Sequence, residues 1–411
     1  MQATRNIVIA GASLAGAKAA EALREQGFDG PVTLIGDEVH RPYERPPLSK
    51  EYLIGKAELA TVFVHGESWY AEHDVRLLLG SRVARVDRSA HQVELTDGTT
   101  TGYHKLLLAT GSSPRALRVD GADAAGVLYL RRIEDSERLK HTVGEAGRLA
   151  VIGAGWIGLE AAAAARLAGV EVTVIEAAAA PLLRVLGPEA AEVFTRLHRE
   201  QGVDFRFNAQ VSGITTANGR ATGVRLADGS TIGADAVLVA VGAAPNTRLA
   251  EDAGLRVRDG VVADAGLATD DPDIYATGDV VSAYHPFLGV HLRVEHWANA
   301  LNQPATAAAA MLGKPAAYDR LPYFFTDQYD LGMEYTGHVP DGDYDRVVFR
   351  GDVAARDFIA FWLRDGRVLA GMNVNVWDVT DPIRDLIRTR AQVNPAALAN
   401  PEVPLAQLAA P

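Results

Sequence analysis

One stretch constrains this chain more than any other: Val151-Ile152-Gly153-Ala154-Gly155-Trp156-Ile157-Gly158-Leu159-Glu160, followed by Val172-Thr173-Val174-Ile175-Glu176. It reads as strand, glycine turn, helix, second strand and closing acid. Gly153 permits the tight turn, Gly155 lets the backbone approach a pyrophosphate, and Gly158 lets the helix pack close to its strand. A diphosphate would sit on the exposed N–H groups at the helix N-terminus. Glu176 ends the second strand, where a carboxylate accepts hydrogen bonds from both hydroxyls of an adenosine ribose. A 2′-phosphate there would meet like charge, and Ala177 to Ala180 supply no Arg or Lys to receive it. The unit therefore favours NAD over NADP.

The same pattern occurs earlier. Ile7 to Ala10 reads as a buried strand, Gly11-Ala12-Ser13-Leu14-Ala15-Gly16 as the turn, Ala17 to Gln26 as a helix, and Val32 to Ile35 as the next strand, ending at Gly36-Asp37-Glu38. Ser13 replaces the middle glycine; its Cβ narrows the approach to phosphate, while its hydroxyl can donate to it. Two such units suggest two dinucleotides. The second unit ends on a strand from Ala236 to Val241 followed by Gly242-Ala243-Ala244-Pro245, an echo of Thr110-Gly111-Ser112-Ser113-Pro114, where Lys105-Leu106-Leu107-Leu108-Ala109-Thr110-Gly111 reads as a buried strand meeting a glycine turn. The chain then returns to the first unit through Asp273 to Asp279 and an alanine-rich helix opening at Glu295-His296-Trp297-Ala298-Asn299. From about residue 320 aromatic residues gather, with strand patterns such as Phe358 to Leu363. The fold class is thus α/β: two Rossmann-like dinucleotide-binding domains plus a small C-terminal α+β domain. The expected boundaries are 1–112 with 245–320, then 113–244, then 321–411. The tail from Asn394 is rich in Ala and Pro and is expected to drape over the surface.

Composition removes several chemistries. The 411 residues include no cysteine, so disulfides, thiolate nucleophiles and any iron–sulfur cluster held by this chain are excluded. A net charge of −12, with no Lys/Arg-rich block, argues against nucleic acid as a partner. A strand begins at Asn6, so no signal peptide is expected. No run of about 18 apolar residues suggests a membrane span, and a cytoplasmic protein is expected.

These motifs together resemble the FAD-dependent, NADH-using ferredoxin reductases that serve cytochrome P450 or Rieske oxygenase systems. The resemblance spans essentially the whole chain. It rests on Arg45-Pro46-Pro47-Leu48-Ser49-Lys50, Gly153 to Glu160, Ala276-Thr277-Gly278-Asp279, Glu295 to Asn299 and Phe325-Thr326-Asp327-Gln328-Tyr329. It implies that the first unit binds FAD, with Gly11, Ser13, Leu14, Ala15 and Gly16 at the pyrophosphate turn and Asp37 or Glu38 at the adenosine ribose. Arg45, Pro46, Lys50, Val83, Ala109, Thr110, Gly111 and Arg131 would line the flavin. Gly278 and Asp279 would hold the ribityl chain, and Glu295, His296 and Trp297 would lie at the isoalloxazine. The second unit would bind NADH through Gly153, Gly155, Trp156, Ile157, Gly158, Glu176, Val241 and Gly242, with Glu160 near the nicotinamide.

Each assignment has a plainer counterpart. The proline-locked loop before Lys50 is also compatible with a rigid surface turn, Asp279 with a turn or helix cap, and Trp297 with a core aromatic. On the implied chemistry, a hydride must pass from nicotinamide to flavin, and reduced flavin carries negative charge. A helix starting near Trp297 would stabilise that charge by about 0.3–1 kcal/mol. Lys50 and Glu160 would pair over the flavin edge, orienting one another and balancing charge. Electrons would leave singly to a separate [2Fe–2S] ferredoxin, usually acidic, which calls for a basic docking patch. The candidates are Arg293, Arg384, Arg388 and Arg390; the last three also read as a solvated helix face. The alternatives are a related FAD/NADH reductase of another acceptor (rubredoxin, monodehydroascorbate, quinone) and an apoptosis-inducing-factor-like protein.

Overall fold

The computed structural model describes residues 5–340 and 343–408. The chain divides into two compact units. One comprises residues up to Arg45 with Glu58–Ser113 and Ala243–Arg320; the other comprises Pro46–Ala57, Pro114–Gly242 and the segment from Leu321 onward.

The first unit is built on a parallel sheet of five strands. Their order is Ile274–Ala276, Lys105–Leu108, Ile7–Ala10, Val32–Ile35 and Val75–Leu78. The Ile7–Ala10 strand pairs with Val32–Ile35 on one side and Lys105–Leu108 on the other. The strand order therefore reverses at Ile7–Ala10, and open α/β sheets bind ligands at such a point, beyond the strands' carboxyl ends. Ile7–Ala10 is buried at every position, as a sheet covered on both faces requires. The helix that follows is Leu14–Glu25, three residues earlier than the sequence pattern suggests, because it starts inside the glycine turn. It packs against the Trp297–Met311 helix. The unit also holds two three-stranded sheets, one antiparallel of Val83–Asp87, Gln92–Leu95 and Thr100–Gly102, the other of Val261–Ala263, Val281–His285 and Val290–Leu292.

The second unit repeats the plan. Its five-stranded parallel sheet runs Asp204–Arg206, Glu171–Ile175, Arg148–Ile152, Ala236–Val239 and Val127–Leu128, with the reversal at Arg148–Ile152. The Ala236–Val239 strand stops two residues short of the expected end; Ala240 closes its register by donating its N–H to the Ile152 carbonyl.

This unit also holds a three-stranded antiparallel sheet, Val211–Ala217, Arg220–Leu226 and Thr231–Gly233, and a five-stranded antiparallel sheet, Tyr323–Gln328, Leu331–Gly337, Arg367–Val374, Asp357–Arg364 and Arg346–Asp352. The expected alternation at Phe358 to Leu363 is absent: all six residues are buried. Helices occupy both sides. The Trp362 indole donates to the Leu186 carbonyl of the Leu183–Glu200 helix at 3.0 Å, and the Thr380–Thr389 helix sets Ile383 directly against Gly371.

The tail does not drape, which corrects the expectation. It forms two short helices, Pro395–Ala399 and Leu405–Leu408, and buries Leu398 and Leu405. The Arg350 guanidinium donates to four tail carbonyls, those of Leu398, Asn400, Pro401 and Val403. Asn394 caps the first tail helix through the Ala396 N–H at 2.8 Å. Composition alone misses such anchoring, because two leucines and one distant arginine suffice for it. No helix among the described residues is long and apolar enough to cross a membrane.

Candidate active site

In the first unit the turn after Ile7–Ala10 is shaped by its own backbone. Gly11 has φ +123°, and a Cβ there would overlap the Ala109 carbonyl; a Cβ on Gly16 would overlap the Gly11 carbonyl. The helix beginning at Leu14 has no acidic residue in its first turn, and Ser13 at its N-cap makes no side-chain capping bond. Its first turn is thus left without a side-chain cap, as an anion site at a helix N-terminus requires.

The neighbouring strands converge there. A Cβ on Gly278 would lie 3.2 Å from Ala15. The Gly278 N–H donates to the buried Gln303 Oε1 at 2.9 Å, and Ser112 donates to Asp279 Oδ2 at 2.7 Å. Thr277 is fully buried, yet its hydroxyl has no partner among the described residues. An orphaned buried hydroxyl is costly, and at this turn a polyhydroxylated chain is the natural acceptor or donor. The Ala109-Thr110-Gly111 turn is locked by Asn246, whose side chain donates to the Thr110 carbonyl at 2.7 Å while Thr110 Oγ1 donates to the Asn246 carbonyl at 2.9 Å.

The other first-unit candidates are placed as follows. Glu38 accepts from Arg45 Nη2 at 2.7 Å and from the Tyr43 hydroxyl. Burial opposes the Arg45 charge, but Tyr43 and Glu38, with Asp279 beyond, raise its pKa. The Trp297 indole donates to Glu44 Oε2 at 3.0 Å, which makes this tryptophan more than packing. His296 is half-buried by surface area but closely surrounded by protein, and desolvation pushes its pKa down to about 4 against the pull of Asp279. Val83 sits at the start of its strand against the hydrophobic core. Asp37 follows the Val32–Ile35 strand.

The second unit shows the same turn in sharper form. Gly153 has φ +101°, and a Cβ would overlap the Ala240 carbonyl; one on Gly158 would overlap the Gly153 carbonyl. A Cβ on Gly155 would meet nothing within 4 Å. The protein's own packing does not require a glycine at this exposed position, which leaves room for a diphosphate. Glu176 accepts the Ala154 N–H at 2.7 Å and the Ala178 N–H at 2.8 Å, tying the acid to the turn. Ile157 and Val241 are 43% and 37% exposed, two large apolar side chains left uncovered at this edge. Trp156 instead turns its ring onto Phe194 and Phe324, leaving its backbone to serve the turn. Gly242 accepts the Arg115 N–H at its carbonyl, and the Arg131 and Arg132 N–H groups both donate to Asp135 Oδ2.

Lys50 belongs to this second unit, because its loop docks there: Ser136 donates to the Leu48 carbonyl at 2.8 Å, and Tyr52 bonds Glu137. The Lys50 Nζ lies 2.9 Å from Glu160 Oε1, both side chains under a tenth exposed. Ser49 donates to Glu160 Oε2, and Thr326 donates to Oε1 at 2.6 Å. The lysine ammonium also stands 5.2 Å over the Phe325 ring. A buried carboxylate is tolerated only when paired and hydrogen-bonded, and here three donors hold it. Ser49 and Thr326 were not singled out from the sequence as site residues. The available signal was Thr326 itself, a polar residue at an inward position of a strand.

Arg293 is corrected as a docking candidate. Its side chain is only 10% exposed and is paired with Asp259 Oδ1 at 3.0 Å and with Glu295, so it presents no net positive charge to a partner. Arg384 pairs with Asp381 one turn away at 2.7 Å and lies over Tyr323, as on an ordinary solvated helix face; Arg388 lies in the last turn of the same helix and Arg390 at its C-cap.

Comparison with known proteins agrees with both halves of this picture. Residues 5–304 match the pyridine nucleotide-disulphide oxidoreductase family, and residues 323–409 match the reductase C-terminal family. The chain is 39% identical over 415 residues to putidaredoxin reductase of Pseudomonas putida, covering 100% of this chain and 98% of that one. It is 42% identical over 402 residues to the ferredoxin–NAD(+) reductase component of the anthranilate 1,2-dioxygenase system of Burkholderia cepacia, covering 97% and 98%. The crystal structure of the covalent putidaredoxin reductase–putidaredoxin complex superposes with a TM-score of 0.95 at 38% identity, covering 99% of this chain and 98% of that chain. The chain belongs to the pyridine nucleotide-disulphide oxidoreductase family, in the branch of FAD-dependent, NAD-linked ferredoxin reductases that ends in a reductase C-terminal domain.

Proposed function

We propose that this protein carries electrons from NADH through FAD to a separate [2Fe–2S] ferredoxin serving a cytochrome P450 or Rieske-type oxygenase. The observation that carries this reading is the presence of two glycine-turn cradles in a chain without cysteine. Lacking any thiol, the chain cannot pass electrons to a disulfide of its own or hold a cluster. When bound, FAD accepts a hydride from NADH and gives up its electrons one at a time.

The chain's residues divide the remaining work. Gly11 to Gly16 and Thr277 to Asp279 hold the diphosphate and sugar of FAD, with Asp37 or Glu38 at its adenosine end. Val83, Ala109 to Gly111 and Glu295 to Trp297 line the flavin. Gly153 to Gly158, Glu176, Val241 and Gly242 hold NADH, and Glu176 rejects a 2′-phosphate. Lys50 and Glu160 are a charge-balanced pair at the reacting end, orienting ligands rather than exchanging protons. The functional domains are 1–112 with 245–320 for FAD, 113–244 for NADH and 321–411 as the C-terminal domain, in a cytoplasmic protein.

The test is steady-state turnover of the FAD-loaded protein with NADH against a panel of [2Fe–2S] ferredoxins, rubredoxin, small quinones and ascorbyl radical. Rapid ferredoxin reduction is expected. Turnover with quinone or ascorbyl radical alone would reject the proposal.

A further inference from the structure

Glu160 ends a row of polar side chains that packing alone does not call for. Thr326, Gln328 and His198 are each at most 1% exposed, and each is satisfied by the next. The His198 ring is 2.8 Å from Gln328 Oε1 through Nε2, Gln328 Nε2 donates to Thr326 Oγ1 at 3.1 Å, and Thr326 donates to Glu160 Oε1. At the far end the Tyr329 hydroxyl is 3.4 Å from His198 Nδ1. The row joins three elements: the Leu183–Glu200 helix, the Tyr323–Gln328 strand and the Trp156–Leu167 helix.

The donor inventory fixes its direction. Gln328 uses its amide N–H on Thr326, so its carbonyl faces His198 and His198 Nε2 must carry the proton. Nδ1 is then bare and accepts from Tyr329, whose phenol keeps its proton because burial pushes its pKa up. Thr326, having accepted from Gln328, has its single O–H left for Glu160. Every bond donates toward the carboxylate, and aligned hydrogen bonds in a low dielectric polarise one another. Burial pushes His198 down to about 4, so the ring is neutral, as this wiring requires.

We infer that Thr326, Gln328 and His198 are positioning residues, a one-way row of hydrogen bonds that holds Glu160 in a single rotamer beside Lys50. This rests on the role proposed above for the Lys50–Glu160 pair. Ser49 on the opposite carboxylate oxygen completes the clamp. The sequence carries the device in the alternation of Phe325 to Tyr329: Thr326 and Gln328 fall on one strand face, where an apolar pair would fill the space more simply.

Two measurements test it on the whole protein. The first reads the row directly, with and without nucleotide: the ring ¹⁵N shifts of His198. The expected result is one neutral tautomer protonated at Nε2, lost to a mixture in Gln328→Leu; a ring protonated at Nδ1, or one indifferent to Gln328→Leu, overturns the row. The second is stopped-flow flavin reduction in the FAD-loaded enzyme. Thr326→Val should slow reduction at saturating NADH by about tenfold or more, as loss of positioning does, with NADH affinity within about twofold and recovery in Thr326→Ser. If Glu160→Gln is impaired while Thr326→Val reacts like wild type, the row is refuted and the pair survives. If Glu160→Gln is itself unimpaired, the role of the pair fails and the positioning claim falls with it.

Discussion

The turns at Gly11 and Gly153 share their outer glycines for one reason. In both, a Cβ on the first would overlap a carbonyl of the neighbouring strand's end, and a Cβ on the third would overlap the first glycine's own carbonyl. They differ in the middle, where Ser13 stands in one and Gly155 in the other, with open space around the latter. They differ again in their acids. Glu176 is bonded to its own turn, whereas Glu38 is bonded to Arg45 and Tyr43. The outer glycines answer to the protein's backbone, the middle residue is not fixed by it, and each acid is held by a different set of protein groups. A substitution at an outer glycine should therefore damage folding and binding together, and one at the inner position should affect binding alone.

The harshest test of that division is Gly153→Ala. Left-handed backbone and a carbonyl overlap together should destabilise the second unit by about 3 kcal/mol and abolish NADH binding while flavin absorbance persists. Gly11→Ala should do the reverse and strip the flavin. Urea denaturation and flavin content read both, and NADH binding intact in Gly153→Ala would mean that the turn does not need its first glycine.

The second unit also carries the buried His198. Its folded pKa of about 4 lies below the unfolded value of 6.5, so the unfolded chain binds the proton first. The stability it contributes is present above pH 6.5 and is lost as pH falls through 4, by about 3 kcal/mol in all. His198→Gln should flatten that part of the stability–pH curve; an unchanged slope would mean the ring is not neutral in the fold.

Smaller effects sharpen the difference between the acids. Glu176→Ala should weaken NADH about tenfold, and combined with Ala177→Arg it should narrow the preference over NADPH. Unchanged discrimination would place the ribose contact elsewhere. Smallest of all, Gly155→Ser should leave stability within about 0.5 kcal/mol, because serine is a good N-cap, while NADH affinity falls. Ser13→Gly should change FAD affinity by no more than about twofold, one marginal hydrogen bond.

Much of this was legible in the sequence because its causes are local. A glycine turn between a strand and a helix, with an acid closing the next strand, states its geometry in some 25 residues. Glu160 and Lys50 were legible only through motifs, since their pairing joins segments far apart in the chain. The sequence order also hid that Pro46–Ala57 packs with the second unit, a consequence of the Ser136 and Tyr52 contacts. Arg293 has one carboxylate nearby in sequence, Glu295, but its pairing with Asp259, 34 residues away, is visible only in the fold. His198 and Gln328 were overlooked for a related reason: a buried polar residue is conspicuous only once its burial is known.

Two separate cradles in one chain should take two different nucleotides. Anaerobic mixing of the FAD-loaded protein with one equivalent of NADH, and separately of NADPH, tests this most directly. Rapid bleaching of the flavin band by NADH is expected, with much slower bleaching by NADPH. The Gly153→Ala protein should keep its flavin and fail to bleach with either. A chain that retains no flavin, or one whose flavin is reduced equally well after Gly153→Ala, would contradict it.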